Sequence, residues 1–256
     1  DLGKVIAIFN QKGGVGKTTT NVNLSAGLAE RGSRVLTVDI DPQGNTTSGL
    51  GVQKNDLKKT IYDVLLGGAN INEVKSKTPM KNLTLIPSNM DLAGAEIELL
   101  DLSKREYLLK DALVNIREKY DYIFIDCPPA VNILTLNALT AADSVLVPIQ
   151  CEYYALEGLT HLITTIKLVQ QKLNKTLHIE GIIFTMYDAR TNLSLQVVEE
   201  VKKYFSKEIY TTLIPRNVRL GEAPSHGLPI MLYDEKSKGS ESYRLLAEEM
   251  LERKEA

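Results

Sequence analysis

The feature that most constrains this chain is a glycine-rich turn between an apolar run and a helix-like segment. Residues 9–19 read FNQKGGVGKTT; the apolar run is Val5 to Phe9 and the helical pattern extends from Lys17 to Glu30. Glycine lacks a Cβ, so this backbone can point its N–H groups inward and approach a bulky anion closely. The helix that begins there adds unpaired amides and the positive end of its dipole. The pattern predicts a phosphate cradle.

Two lysines in this loop have different expected tasks. Lys17 follows the last glycine and supplies an ammonium for the β and γ phosphates, while the hydroxyl of Thr18 can ligate Mg²⁺. The usual pattern G-x-x-x-x-G-K-[ST] would place glycine at position 11, where this chain has Gln11 and then Lys12. Because Lys12 precedes the turn, it could serve a nucleotide on a facing subunit. The alternative is a glycine loop that merely joins a strand to a helix.

A second apolar run ends in carboxylates. Val35 to Asp39 leads into the sequence DIDPQGN at residues 39–45. Strand, helix and strand in this spacing form a βαβ unit, whose ligand lies beyond the carboxyl ends of the strands. Alternation with a period of two places Asp39 and Asp41 on the same side of the strand. Pro42 and Gly44 break the strand, which favours a switch-like loop; the alternative is a solvated Asp-Pro turn.

A third carboxylate follows the apolar run from Tyr122 to Ile125. Asp126 ends this run and Cys127, Pro128 and Pro129 come after it. This is a Walker B arrangement, in which the acid lies near Mg²⁺, usually through a water. Cys127 and Cys151 lack the spacing of a metal site or a disulfide scaffold, and Cys127 is expected to be a small buried thiol.

Composition and patterning predict one α/β domain spanning residues 1–256. The chain is 43% hydrophobic and 24% charged, and no composition break divides it. Apolar runs alternate with helical periodicity, for example over residues 104–119 and 157–172, which predicts a mainly parallel, doubly wound sheet with helices on both faces. The net charge of −2 gives no global basic field, so any DNA contact must come from a local patch. We expect a cytoplasmic protein.

These motifs together resemble the deviant Walker A ATPases, whose loop reads KGGxGKT and which include ParA/Soj partition proteins and MinD. The run IPRNVRLGEAPSHG at residues 214–227 resembles a segment of chromosomal ParA/Soj proteins in particular. The likeness extends from Lys4 to about Ala247. It implies a P-loop NTPase fold, ATP and Mg²⁺ as cofactors, and slow hydrolysis by in-line attack of water.

The resemblance also implies roles for single residues. Lys12 would cross a nucleotide sandwich dimer, Asp41 would position the attacking water, and Asp126 would organise the water shell of the metal. The predicted catalytic residues are Lys12, Lys17, Asp41 and Asp126, and the predicted metal-binding residues are Thr18, Asp41 and Asp126. The predicted nucleotide-binding residues are Lys12, Gly13, Gly14, Val15, Gly16, Lys17, Thr18 and Thr19, with Met186, Pro215, Arg216 and Asn217 near the adenine.

The implied partners are a second copy of the chain, bound in an ATP-dependent homodimer, nonspecific double-stranded DNA, and a ParB/Spo0J-type protein that stimulates hydrolysis. Binding to chromosomal DNA would in turn place the protein on the nucleoid. The matching basic residues are Arg190, Arg219, Lys236 and Lys238, although acidic residues are interleaved with them.

Three other functions remain open at this point. A MinD-like regulator would cycle on membranes, but the last helical stripe, from Ser240 to Ala256, is acidic, so no stable membrane association is expected. A redox ATPase like the nitrogenase iron protein would need a cysteine pattern that this chain lacks. A metabolic kinase would need an acceptor site, and no residue pattern suggests one.

Overall fold

A seven-stranded sheet forms the centre of the protein. The structure is a computed structural model that describes residues 2–14 and 16–256. The strands are β1 (Lys4–Ile8), β2 (Val35–Asp39), β3 (Ser76–Lys77), β4 (Leu83–Ile86), β5 (Tyr122–Asp126), β6 (Ser144–Gln150) and β7 (His178–Thr185). Their order is β3-β4-β2-β5-β1-β6-β7, and each described pair is parallel except β3 with β4. The prediction of a mainly parallel sheet is confirmed.

Helices connect the strands. They are α1 (Lys17–Glu30), α2 (Asn45–Gly49), α3 (Ile61–Leu65), α4 (Leu92–Glu98), α5 (Leu108–Leu113), α6 (Ile133–Ala141), α7 (Ala155–Lys172), α8 (Asn192–Phe205), α9 (Val218–Glu222), α10 (Ile230–Tyr233) and α11 (Lys238–Glu255). The predicted bounds of β2 and α1 are those observed. The single-domain boundary at 1–256 stays a prediction.

Alternation along the strands creates a core on each face of the sheet. In β1, Val5 and Ala7 pack into one apolar cluster, whereas Ile6 and Ile8 pack into the other. The first cluster takes its helical residues from α3 to α8, and the second takes them from α1, α9, α10 and α11. Both faces are therefore covered, as the continuous apolar character of parallel strands requires.

The register of the central strands positions the predicted site. Ile8 lies opposite Asp126 in the pairing of β1 with β5, and Asp39 lies opposite Asp126 in the pairing of β2 with β5. The three strands therefore end level with one another. The loops that follow β1, β2 and β5 begin at a common edge, which is where ligands bind in open α/β sheets.

One predicted helix is shorter than its periodicity suggested. Residues 104–119 contain only the short α5, flanked by turns of 3-10 helix at residues 105–107 and 117–119. Lys104 adopts a left-handed backbone with φ of 54°, which a helix cannot include. The apolar spacing reflected burial of Leu109, Leu113 and Ile116 rather than one continuous helix.

Candidate nucleotide site

The phosphate loop owes its shape to glycines with left-handed backbone angles. Gly14 and Gly16 have φ of 74° and 87°, and Gly16 is the residue before the first turn of α1. Among the described residues no side chain caps this helix; the carbonyl of Gly16 accepts the N–H of Thr20 at 2.8 Å. The amides of the first turn are thus left for a ligand. Val15, also predicted to bind nucleotide, lies outside the described residues.

Replacing Gly16 by alanine should destabilise the fold by about 1–2 kcal/mol, because a Cβ at positive φ meets the backbone. The added Cβ would also lie 3.4 Å from Cγ2 of Thr185. Chemical denaturation of the nucleotide-free protein measures this loss. Gly13→Ala is the matched control, since Gly13 has no positive φ and a Cβ there meets no atom of the described residues within 4 Å. Equal effects of the two substitutions would contradict the backbone explanation.

Lys17 is a buried ammonium that faces the loop. Its residue is 8% exposed, and Nζ donates to the carbonyl oxygen of Lys12 at 3.2 Å. Burial lowers the pKa of Lys17, and the charge of Asp126 partly opposes this change. A partly desolvated cation at the start of a helix attracts an anion more strongly than one in water.

Asp126 provides an oxygen without a partner beside this cation. Its Oδ2 accepts hydrogen bonds from Oγ1 of Thr18 at 2.9 Å and from Oγ1 of Thr46 at 2.7 Å. Its Oδ1 is buried and has no hydrogen-bond partner among the described residues. Burial raises the pKa of Asp126, against the effect of the two hydroxyls. A hydroxyl and a carboxylate with a spare oxygen fit Mg²⁺, which prefers hard oxygen ligands.

The two aspartates after β2 have different surroundings. Asp39 is fully buried; its Oδ2 accepts the N–H and the hydroxyl of Thr47 at 2.9 and 2.8 Å, and its Oδ1 accepts the N–H of Asp41 at 3.1 Å. Burial and the neighbouring Asp126 raise the pKa of Asp39. Asp41 is half-buried and lines the cleft, and its Oδ1 accepts the N–H of Gln43 at 3.0 Å. Asp39 therefore shapes the loop, while Asp41 faces the ligand space.

A cleft of about 510 Å³ lies beside the phosphate loop, Lys17 and Thr18. Its walls include the loop, Asp41, and the predicted adenine neighbours Met186, Pro215 and Asn217. Met186 has a left-handed backbone with φ of 54°, which is a strained conformation of the kind that concentrates at binding sites. Oδ1 of Asn217 is buried without a hydrogen-bond partner among the described residues. Arg216 has an exposed side chain and is not among the described lining residues.

The sequence analysis did not identify a buried network of hydrogen-bonded side chains that ends at Asp126. Nδ2 of Asn21, on α1, donates to the hydroxyls of Thr37 and Thr46 at 2.7 and 3.0 Å, and Thr46 in turn donates to Asp126. The available signal was an asparagine on the apolar face of a predicted helix. Tyr243 of α11 was also missed; it lines the cleft, and its hydroxyl lies 3.0 Å from that of Thr20.

Lys12 is directed differently from Lys17. It is exposed, and its ammonium forms an ion pair with Oε1 of Glu152, which follows β6. Its N–H donates to Oδ1 of Asn10 at 3.1 Å. The structure therefore does not bring the Lys12 ammonium to the phosphate side of its own loop.

The four predicted DNA-binding residues are exposed, and the two arginines among them are paired with acids. Arg190 donates from Nε and Nη2 to the carboxylate of Asp188, both at 3.0 Å, while 88% of its side chain is exposed. Arg219 pairs with Glu222 at 3.0 Å and with Asp234 at 3.3 Å. Lys236 precedes α11 and Lys238 is its first residue, and both are exposed.

Two findings bear on the rival functions. Cys127 and Cys151 are both buried and free, and the described residues contain no cluster of three or more His, Cys, Asp or Glu side chains that could hold a metal. Within the same described part of the chain, no helix has both the length and the apolar character needed to cross a bilayer.

Comparison with known proteins identifies the family. The family described as AAA domain matches residues 3–179. The sporulation initiation inhibitor protein Soj of Bacillus subtilis is 60% identical over 249 residues, which cover 97% of this chain and 98% of that protein. The chain belongs to the Soj/ParA family of chromosome-partitioning ATPases. The chromosome-partitioning ATPase Soj of Treponema pallidum is 53% identical over 252 residues, covering 98% of both chains.

A solved structure of similar sequence shows the same fold. Cobyrinic acid a,c-diamide synthase from Mycobacterium smegmatis, with bound ATP analog and magnesium, superposes with a TM-score of 0.87 at 40% identity. The match covers 100% of this chain and 97% of that one. The Soj/ParA chain therefore has the P-loop fold predicted from its loop, strand and helix pattern.

Proposed function

We propose that this Soj/ParA chain is an ATP-driven switch for DNA segregation. The observation that carries the proposal is the arrangement at the edge of the sheet, where Thr18 and the buried Lys17 line one cleft and the hydroxyl of Thr18 donates to Asp126, whose Oδ1 has no partner among the described residues. In this proposal ATP occupies the cleft, with its phosphates on the loop and its base near Met186, Pro215 and Asn217.

Each residue has a physical task in this mechanism. Lys17 and the loop amides would neutralise charge on the phosphates, and positioning and electrostatics supply most catalysis in phosphoryl transfer. Thr18 and Asp126 would hold Mg²⁺, which supplies further charge neutralisation at the phosphate oxygens. Asp41 would orient the attacking water from its half-buried position in the cleft wall.

Lys12 supports a role for two copies of the chain. Its side chain is exposed and pairs with Glu152 after β6, so its ammonium could reach a nucleotide held by a facing subunit. We propose that ATP drives a sandwich dimer, that the dimer binds duplex DNA without sequence preference, and that a ParB/Spo0J-type partner accelerates hydrolysis and resets the switch.

The geometry of α11 weighs against a membrane-cycling function. Tyr243, Leu246, Ala247 and Met250 form its apolar stripe, and all four are buried in the core that α1 shares. This stripe is occupied within the protein and is not available to lipid. Flotation with anionic liposomes in ATP should therefore leave the protein in the unbound fraction.

The proposed function is tested by a mobility-shift assay with duplex DNA in ATP, in ADP and without nucleotide, across a salt series. A shift in ATP alone that weakens steeply with salt is expected, because phosphate contacts release counterions. A DNA shift of the same size in all three conditions, or no shift in any of them, would refute the proposed ATP-dependent switch.

Arg190→Glu should abolish the ATP-dependent shift at low salt while leaving nucleotide binding intact. The substitution places a carboxylate beside Asp188 where an exposed guanidinium stood, and a symmetric dimer carries the change twice. Lys175→Glu is the control, since this exposed lysine precedes β7 and lies at the opposite edge of the sheet. If Arg190→Glu retains the shift, the DNA-binding surface lies elsewhere on the protein.

A further inference from the structure

The ion pair between Lys12 and Glu152 gives the second loop lysine a partner within its own subunit. The Lys12 side chain is 45% exposed and that of Glu152 is 29% exposed, so both remain within reach of solvent and of another molecule. Glu152 lies in the connection between β6 and α7, outside every motif of the phosphate loop.

The fold holds the two residues together. β1 and β6 are neighbours in the sheet, and their following loops leave from the same edge. Asn10 ties these loops: its Nδ2 donates to the carbonyl oxygen of Pro148 at 2.9 Å, and its Oδ1 accepts the N–H of Lys12 at 3.1 Å. The base of the Lys12 side chain is thus fixed against β6, which places Glu152 within its reach.

Both the backbone carbonyl and the side-chain ammonium of Lys12 have partners within the subunit. Its carbonyl oxygen accepts a hydrogen bond from the Lys17 ammonium, and its own ammonium faces Glu152. A triphosphate that enters the loop would draw Lys17 away from that carbonyl. For Lys12 to reach a facing nucleotide, the Glu152 carboxylate must then be exchanged for phosphate oxygens.

We propose that Glu152 is a positioning residue that holds Lys12 in the single subunit and competes with the facing nucleotide for its ammonium. The inference rests on the proposed function, because it assumes that Lys12 acts across a dimer. A terminal phosphate offers more charge and more acceptor oxygens than a carboxylate. ATP can therefore displace Glu152 where ADP, which lacks the third phosphate, does not. The ion pair makes assembly selective for the triphosphate.

Glu152→Gln removes the charge and keeps the size of the side chain. The dimer dissociation constant in a nonhydrolysable ATP analogue should fall about 2- to 30-fold, since an exposed ion pair is lost twice in a symmetric dimer. Dimer should also become detectable in ADP. Glu152→Asp, which keeps the charge, should behave like the parent protein. Nucleotide affinity measured at subunit concentrations too low for dimer should change little.

Sedimentation velocity of the full chain across a concentration series measures the dimer. Glu157→Gln is the matched control: it removes a negative charge from the start of α7, where Glu157 is 66% exposed and faces His161. If it promotes dimerisation as strongly as Glu152→Gln, or if Glu152→Gln leaves the constant and the ADP result unchanged, the positioning role is overturned. Equal melting temperatures of the variants would exclude a general loss of structure.

A second readout tests the contact without relying on dimerisation. Amine-reactive labelling without nucleotide, followed by mass spectrometry, should modify Lys12 faster in Glu152→Gln than in the parent protein or in Glu157→Gln. Equal rates would show that the ion pair does not hold Lys12 and would overturn the inference. A parent protein that stays monomeric in the analogue would instead refute the proposed function, and the positioning role with it, even if the labelling rates differ.

Discussion

Asp41→Ala is expected to lower the ATP turnover number by about 100-fold or more, the range in which a positioned acid–base group contributes. Asp41 lines the cleft, and its Oδ1 is held by the N–H of Gln43, so its carboxylate is fixed close to the phosphate loop. Removing it leaves Lys17, Thr18 and Asp126 in place. ATP should still bind, and the dimer should persist because the hydrolysis that ends it is slow.

Phosphate release measured under single-turnover conditions, together with dimer lifetime by sedimentation, checks this expectation. Asp56→Ala is a suitable control, because Asp56 is an exposed carboxylate in a nearby turn and does not line the cleft. Phosphate release from Asp41→Ala at the parent rate would rule out the assigned role. A variant that fails to bind ATP would indicate instead that Asp41 serves ground-state binding.

Lys12→Ala should leave the protein monomeric in ATP while nucleotide still binds. A hydrogen bond to a charged group contributes about 1.5–3 kcal/mol, and a symmetric dimer would lose two, which raises the dissociation constant by roughly 10² to 10⁴. Lys17 carries the contact within the subunit, so affinity for nucleotide in the monomer should be nearly retained.

Sedimentation equilibrium with a nonhydrolysable analogue measures this loss. Lys81→Ala is the control, since Lys81 is exposed just before β4 and thus lies at the opposite edge of the sheet. An intact Lys12→Ala dimer would show that the second lysine does not bridge subunits. Loss of nucleotide binding in the same variant would show that Lys12 acts within its own loop.

Local patterns made the phosphate loop predictable. The glycines, Lys17 and Thr18 are contiguous in sequence, and the helical stripe from 17 to 30 became α1 with the same bounds. Likewise, the apolar runs before Asp39 and Asp126 became neighbouring strands whose parallel register aligns these two residues. Such features follow from backbone geometry within a few residues and from the rule that parallel strands share a carboxyl edge.

The hydrogen-bond and ion-pair partners of the site residues could not be predicted from local patterns. Thr46 donates to Asp126 although the two are 80 positions apart in sequence, and Glu152 pairs with Lys12 from the far side of β6. Arg216 was predicted near the adenine from the resemblance of its segment to ParA/Soj proteins, and this stays a prediction; its side chain is exposed, while Pro215 and Asn217 of that run line the cleft. The direction of a long side chain depends on what packs around it.

The phosphate loop, the strands that lead to Asp39 and Asp126, and the resemblance to ParA/Soj proteins could all be read from the sequence, because each is carried by motifs whose residues are contiguous in the chain. The folded arrangement was needed to show which buried aspartate has an oxygen without a partner among the described residues, and that the second loop lysine pairs within its own subunit. Those outcomes depend on hydrogen bonds and ion pairs between distant segments, whose geometry exists only once the sheet has brought the segments to one edge.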